Sequence, residues 1–110
     1  MIYLVHFERP FKHAKHYVGF TDVTLRERFK RHTSNARLRR GSALMRAVLE
    51  AGIKFKVVKV WDGDRNDERR VKIDGHSARR CPVCREEVTY AAATCYLQLN
   101  QSIAREAKRA

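Results

Sequence analysis

Tyr17-Val18-Gly19-Phe20-Thr21 is the stretch whose reading decides the fold. Aromatic and β-branched residues in this density favour a strand, and a glycine inside a strand marks a close approach of backbone, side chain or ligand. Working upstream, Ile2-Tyr3-Leu4-Val5-His6-Phe7 is a second such run and reads as a buried strand. The residues between, Glu8 to His16, are basic and contain Pro10, which has no amide proton for a ladder. They are expected to form a loop, with the second strand running from His16 to Phe20 and the two strands paired as an antiparallel hairpin around a long connection. Working downstream, Thr24 fits a helix N-cap with Glu27 as its capping-box partner, and Leu25 and Phe29 share a face of a helix running to about Thr33.

The rest of the chain follows from the same signals. Ser34 to Ser42 is basic and reads as flexible, Ala43 to Ala51 has apolar residues at helical spacing, and Gly52 is a natural C-cap. Phe55, Val57, Val58, Val60 and Trp61 form a third strand, closed by an Asp62-Gly63 turn. Asp64 to Ile73 reads as a third helix with Asp64 or Asn66 as its cap and Asp67 and Glu68 early in it. Beyond it lie a Gly-containing basic linker, a Cys81-Pro82-Val83-Cys84 turn, and Val88 to Ala110, which reads as helical with Ala91, Cys95, Leu99 and Ile103 on one side. The expected fold is therefore a small α/β domain in the order β-β-α-α-β-α. It has a three-stranded mixed or antiparallel sheet flanked by helices, with residues 1–73 forming the body and 74–110 a linker and Cys-containing helical tail.

Composition narrows the function. With 110 residues, 44% of them hydrophobic, the chain is long enough for one domain and one modest core. A formal net charge of +12, from 24 Lys and Arg against 12 Asp and Glu, points to a polyanionic partner, nucleic acid first. No signal peptide and no run of about 20 apolar residues is present, so a cytoplasmic location away from any membrane is expected. Three cysteines, an odd count, argue against a disulfide framework.

Several residues carry chemistry. Tyr3 and Tyr17 sit on neighbouring strands, where the plain role is cross-strand packing worth ~0.2–1 kcal/mol. Arg28 and His32 are four residues apart and share a helix face; a guanidinium there can hold phosphate oxygens through paired hydrogen bonds. Arg26, Lys30 and Arg31 on the same helix, Lys12 and Lys15 in the early loop, and Arg39, Arg40 and Arg69 further on are suited to tracking a phosphate backbone. Glu68 lies among cations and pairs naturally with Lys72, yet a lone carboxylate can also hold Mg²⁺ with waters and phosphate completing the shell. His76, Cys81, Cys84 and Cys95 form a candidate Zn²⁺ set that would pin the tail to the body, the alternative being small packed or free thiols. His6 reads as a core residue, and His13 and His16 as part of the basic loop rather than metal ligands.

Taken in order, Met1-Ile2-Tyr3, Tyr17-Val18-Gly19, Thr21, Arg28, His32 and Glu68 resemble the GIY-YIG nuclease family over roughly residues 1–73, and in particular a small single-domain subgroup with a CPxC element. Met1 stands where the family has its leading glycine, Arg26 is a second candidate for the arginine role, and a late family asparagine has no counterpart. The resemblance implies a metal-dependent endonuclease hydrolysing DNA phosphodiester bonds. Tyr3, Tyr17, Arg28, His32 and Glu68 would be its catalytic set, with Mg²⁺ or Mn²⁺ on Glu68 and either tyrosine, or His32, deprotonating the attacking water. A domain of this size has little surface for sequence readout, so weak specificity, a homodimer or a targeting partner is expected. The alternatives are a non-catalytic nucleic-acid-binding module on the same scaffold and a small basic RNA-binding protein.

Overall fold

The computed structural model describes residues 1–38, 41–75 and 77–97. Three strands, β1 (Ile2–Phe11), β2 (Ala14–Phe20) and β3 (Phe55–Trp61), form an antiparallel sheet in the order β2-β1-β3. Helices α1 (Leu25–Arg37) and α2 (Ala43–Glu50) lie between β2 and β3, and α3 (Arg65–Asp74) and the single-turn α4 (Ser77–Arg80) follow. This is the expected α/β class and element order, with the sheet resolved as antiparallel.

Side chains alternate across a strand, so the central strand β1 feeds two cores. Tyr3, Val5 and Phe7 point to one face and pack with Leu25 and Phe29 of α1, Met45 and Val48 of α2, Ile53 and Val57. Ile2 and Leu4 point to the other and pack with Val18, Val58, Val71 of α3, Cys81 and Ala93. The region after α3 is thus part of the second core, and Cys81 is fully buried in it. Leu4 pairs with Lys59 while Val5 pairs with Val57, so Val58 is an extra, bulged residue that also turns into this second core.

Helix starts follow the cap chemistry. Thr24 Oγ1 accepts from the Glu27 amide, Ser42 Oγ from Met45, and Asp64 exchanges reciprocal bonds with Asp67 in a full capping box. Gly75 ends α3 in the left-handed conformation, at φ 64°.

Three expectations are corrected. The long loop between the first two strands is instead a two-residue turn at Lys12 and His13, with Lys12 at φ 55°. Pro10 is tolerated because β1 pairs with β3 only as far as Phe7, so its missing amide breaks no central ladder. Helix α1 continues past Thr33 to Arg37, because Ser34-Asn35-Ala36-Arg37 contains no glycine or proline to stop it. Residues 88–95 form turns rather than a helix, held by three Lys56 Nζ bonds to the carbonyls of Tyr90, Ala91 and Ala93 at 2.8, 3.1 and 3.1 Å. Leu99 and Ile103 lie outside the described residues.

Candidate functional site: a polar cleft and a histidine–cysteine cluster

The register of the hairpin opposes Tyr3 with Gly19 and Val5 with Tyr17. The Tyr3 ring lies across Gly19 so closely that a Cβ there would overlap its phenol. The glycine inside the strand therefore serves a neighbouring side chain, and Tyr3 is buried completely as a result. Its hydroxyl meets His32 Nε2 at 2.8 Å, and the rings of Tyr17 and Phe29 flank the same imidazole at 5.5 and 5.1 Å. Burial, reinforced by the neighbouring Tyr17 and only partly opposed by Arg28, pushes the Tyr3 phenol well above its usual range. Burial and then the Arg28 charge push His32 down to about 4. At neutral pH both groups are uncharged, and their hydrogen bond joins two neutral partners.

Beside this pair a cleft of about 180 Å³ opens, lined almost entirely by polar surface. Its walls come from β2 (Tyr17, Phe20), the following turn (Thr21, Asp22), α1 (Arg28, Arg31) and α3 (Arg65, Glu68). Thr21 is buried and holds the turn: its hydroxyl oxygen accepts from the Val23 amide at 3.1 Å. Arg65 lies over the Phe20 ring at 5.3 Å, which fixes the guanidinium on the rim. Arg28 brings a buried Nε that has no hydrogen-bond partner among the described residues. Leaving a buried donor of a charged group unsatisfied costs about 1–3 kcal/mol or more, so an acceptor that reached it would be favoured. Glu68 bonds Lys72 at 2.7 Å, and the Lys72 ammonium sits over the Tyr17 ring at 5.5 Å.

The structure thus brings together all five nominated residues: Tyr3 and His32 as a buried pair, and Tyr17, Arg28 and Glu68 around the cleft. Arg26, the rival for the arginine role, lies with Lys30 on a different groove, beside Phe29, Thr33 and Leu49. Lys12, Lys15, Arg31 and Arg69 are exposed, as a phosphate-tracking role needs, whereas Arg39 and Arg40 lie outside the described residues. Arg65 was missed as a site residue. Its signal was its place three residues before Glu68, on the same helical face.

The cysteine expectation changes more. His76 lies outside the described residues, and Cys95 does not join Cys81 and Cys84. Their companions are His6 and His16, the first read from sequence as core and the second as loop. These two face each other directly across β1 and β2, with Nδ1 and Nε2 3.2 Å apart. Burial pushes both imidazoles down, His16 to about 4, with nearby Lys15 adding to the effect. Burial likewise pushes the Cys84 thiol up. The four donor atoms lie within 4.8 Å of one another and could hold a metal ion of the zinc type.

No helix among the described residues is long and apolar enough to cross a membrane. No family model, curated protein or solved structure matches the chain.

Proposed function

We propose that this protein is a metal-dependent endonuclease that hydrolyses DNA phosphodiester bonds in the cleft between α1, α3 and the end of β2. The observation that carries the reading is the cleft itself. It sets a carboxylate, Glu68, opposite a guanidinium with an unmet buried donor, Arg28, and adds Arg31 and Arg65 on the walls. Three guanidiniums against two carboxylates, Glu68 and Asp22, make a site for an anion, and a phosphodiester fits both its charge and its acceptors.

The same residues fit a Mg²⁺ or Mn²⁺ ion on Glu68. A hard carboxylate in a polar, open cleft suits an ion that keeps several waters and completes its shell with substrate phosphate. The Lys72 ammonium already occupies a cation position on Glu68. An i,i+4 pair of this kind is worth only ~0.2–0.5 kcal/mol, so its displacement costs little. When bound, the ion supplies Lewis-acid stabilisation of phosphoryl charge.

The chain's own residues divide the remaining work. Arg28 donates to the phosphate oxygens and offsets the charge that grows on them during in-line attack. Tyr3 stays protonated because of its burial, so it holds His32 rather than acting as a base. That leaves Tyr17, which lines the cleft, as the tyrosine that would, as its phenolate, take a proton from the attacking water and become the neutral phenol. Exposed Lys12, Lys15, Lys30 and Arg69 extend the positive surface along the flanking DNA.

The test is nicking of supercoiled plasmid with Mg²⁺ or Mn²⁺ present or omitted, with Glu68→Ala alongside. Metal-dependent nicking that disappears in the variant, with DNA affinity retained, supports the reading. Salt-sensitive binding without cleavage by either protein would favour a binding module. Preference for RNA over duplex DNA in competition would move the substrate class.

A further inference from the structure

We infer that His6, His16, Cys81 and Cys84 form a closed, structural zinc site that clips the CPVC turn onto the β1–β2 hairpin. The four side chains come from three separate elements: β1, β2 and the turn after α4. Four of the six distances between donor atoms are 3.2 Å (His6 Nδ1 to His16 Nε2), 3.3 Å (His6 Nδ1 to Cys81 Sγ), 3.8 Å (His6 Nδ1 to Cys84 Sγ) and 3.2 Å (His16 Nε2 to Cys84 Sγ). The remaining two lie within 4.8 Å, and in a regular tetrahedron, whose centre is about 0.61 edge lengths from each corner, edges like the four given correspond to ligand bonds of roughly 2.0–2.3 Å. Those are the bond lengths zinc makes to imidazole nitrogen and thiolate sulfur.

Hydrogen bonding alone does not account for the arrangement. His6 Nδ1 has one lone pair or one proton to offer, yet three polar atoms converge on it within 3.8 Å. Convergence on a shared cation satisfies all four at once. Two thiolates and two imidazoles favour zinc over Mg²⁺ or Ca²⁺, which take oxygen. Four protein ligands leave no open position, so the site holds structure and does no chemistry. The His6 ring packs against the Tyr90 ring at 5.8 Å, and Lys56 holds the backbone just beyond it. Together they fasten a segment whose apolar contribution to the second core is largely Cys81 and Ala93, with Val83 and Val88 at its margin.

The experiment needs no DNA and is independent of the nuclease reading. Protein purified without chelators is assayed for metal content. It is then stripped and reconstituted with Co²⁺, whose visible spectrum reports tetrahedral thiolate ligation. One zinc per chain is expected, with the intense d–d and sulfur-to-cobalt bands of an S₂N₂ site. Loss of the ion in His16→Ala and Cys84→Ser is expected, with full occupancy in His13→Ala and Cys95→Ser. Stripping the zinc should lower the melting temperature by about 10 °C or more, because metal binding is linked to folding. Since an unfolded variant would also lose metal, the wild-type cobalt spectrum and the Cys95→Ser occupancy decide the matter by themselves. A wild-type protein that takes up no zinc and gives no tetrahedral cobalt spectrum would overturn the inference. So would zinc retained by His16→Ala but lost from Cys95→Ser.

Discussion

The two faces of one hairpin have opposite characters. On one, Tyr3 and Tyr17 lead to a cleft with an unmet donor on Arg28, a carboxylate on Glu68 and room for a ligand. On the other, His6 and His16 meet Cys81 and Cys84, and the four donors are spent on one another or on a single ion. Both start from the same two strands, and the period-two alternation of side chains separates them. On the proposed function the first face serves turnover, its polar groups being completed by a substrate that comes and goes. On the inference drawn above the second serves permanence, because its four donors already converge on one point.

If that contrast is right, changes on the cleft face should act mainly on rate. The largest effect after loss of Glu68 is expected at Arg28. Arg28→Lys should lower the cleavage rate by about 10²–10³-fold, as removal of one transition-state donor does, because an ammonium cannot reproduce the paired geometry of a guanidinium. Single-turnover kinetics with melting curves on the same samples check it, and an equally large loss of stability would blur the contrast. Gly19→Ala should act the other way. Its Cβ overlaps the Tyr3 phenol, and overpacking of this kind costs about 1–3 kcal/mol, read as a lower urea midpoint. Tyr3→Phe removes the bond to His32 and should cost about 1 kcal/mol, again by denaturant titration.

The smallest effect is a pH slope. His32 titrates near 4 when folded against an ordinary 6.5, so the unfolded chain binds more protons between those values. Stability should be full above about pH 6.5 and fall progressively as pH drops towards 4. His32→Gln should flatten part of that slope. His16 contributes to the same window in metal-free protein, so the comparison is made with zinc present in both.

How much of this was legible in sequence varies with the kind of signal. β3 (Phe55–Trp61) and the caps Thr24 and Asp64 were readable because local chemistry dictates them. The pairing of Arg28 with His32 on α1 and the placing of Glu68 early in α3 follow from helical spacing. The histidine–cysteine cluster was not readable, because it depends on hairpin register. With Glu8 to His16 taken as a loop, His16 was only the junction residue opening the second strand, and nothing in the sequence set its register opposite His6. Pro10 was the misleading residue: it excludes a central ladder position but not a strand that has already outrun its second neighbour. The tail misled in a similar way. Ala91 and Cys95 have helical spacing, yet Lys56 collects the carbonyls that such a helix would have used.

The most direct measurement is plasmid cleavage by zinc-loaded protein before and after Mg²⁺ is added, with Glu68→Gln in parallel and melting recorded for every sample. Omitting Mg²⁺ rather than adding a chelator keeps the two metals' roles apart. An open cleft and a closed clip predict a fully folded, inactive protein without Mg²⁺, and cleavage when it is added. Glu68→Gln should then lose about 10³-fold or more in rate, with melting and DNA affinity unchanged. Cleavage by zinc-loaded protein without Mg²⁺, or equal rates for wild type and Glu68→Gln, would contradict it.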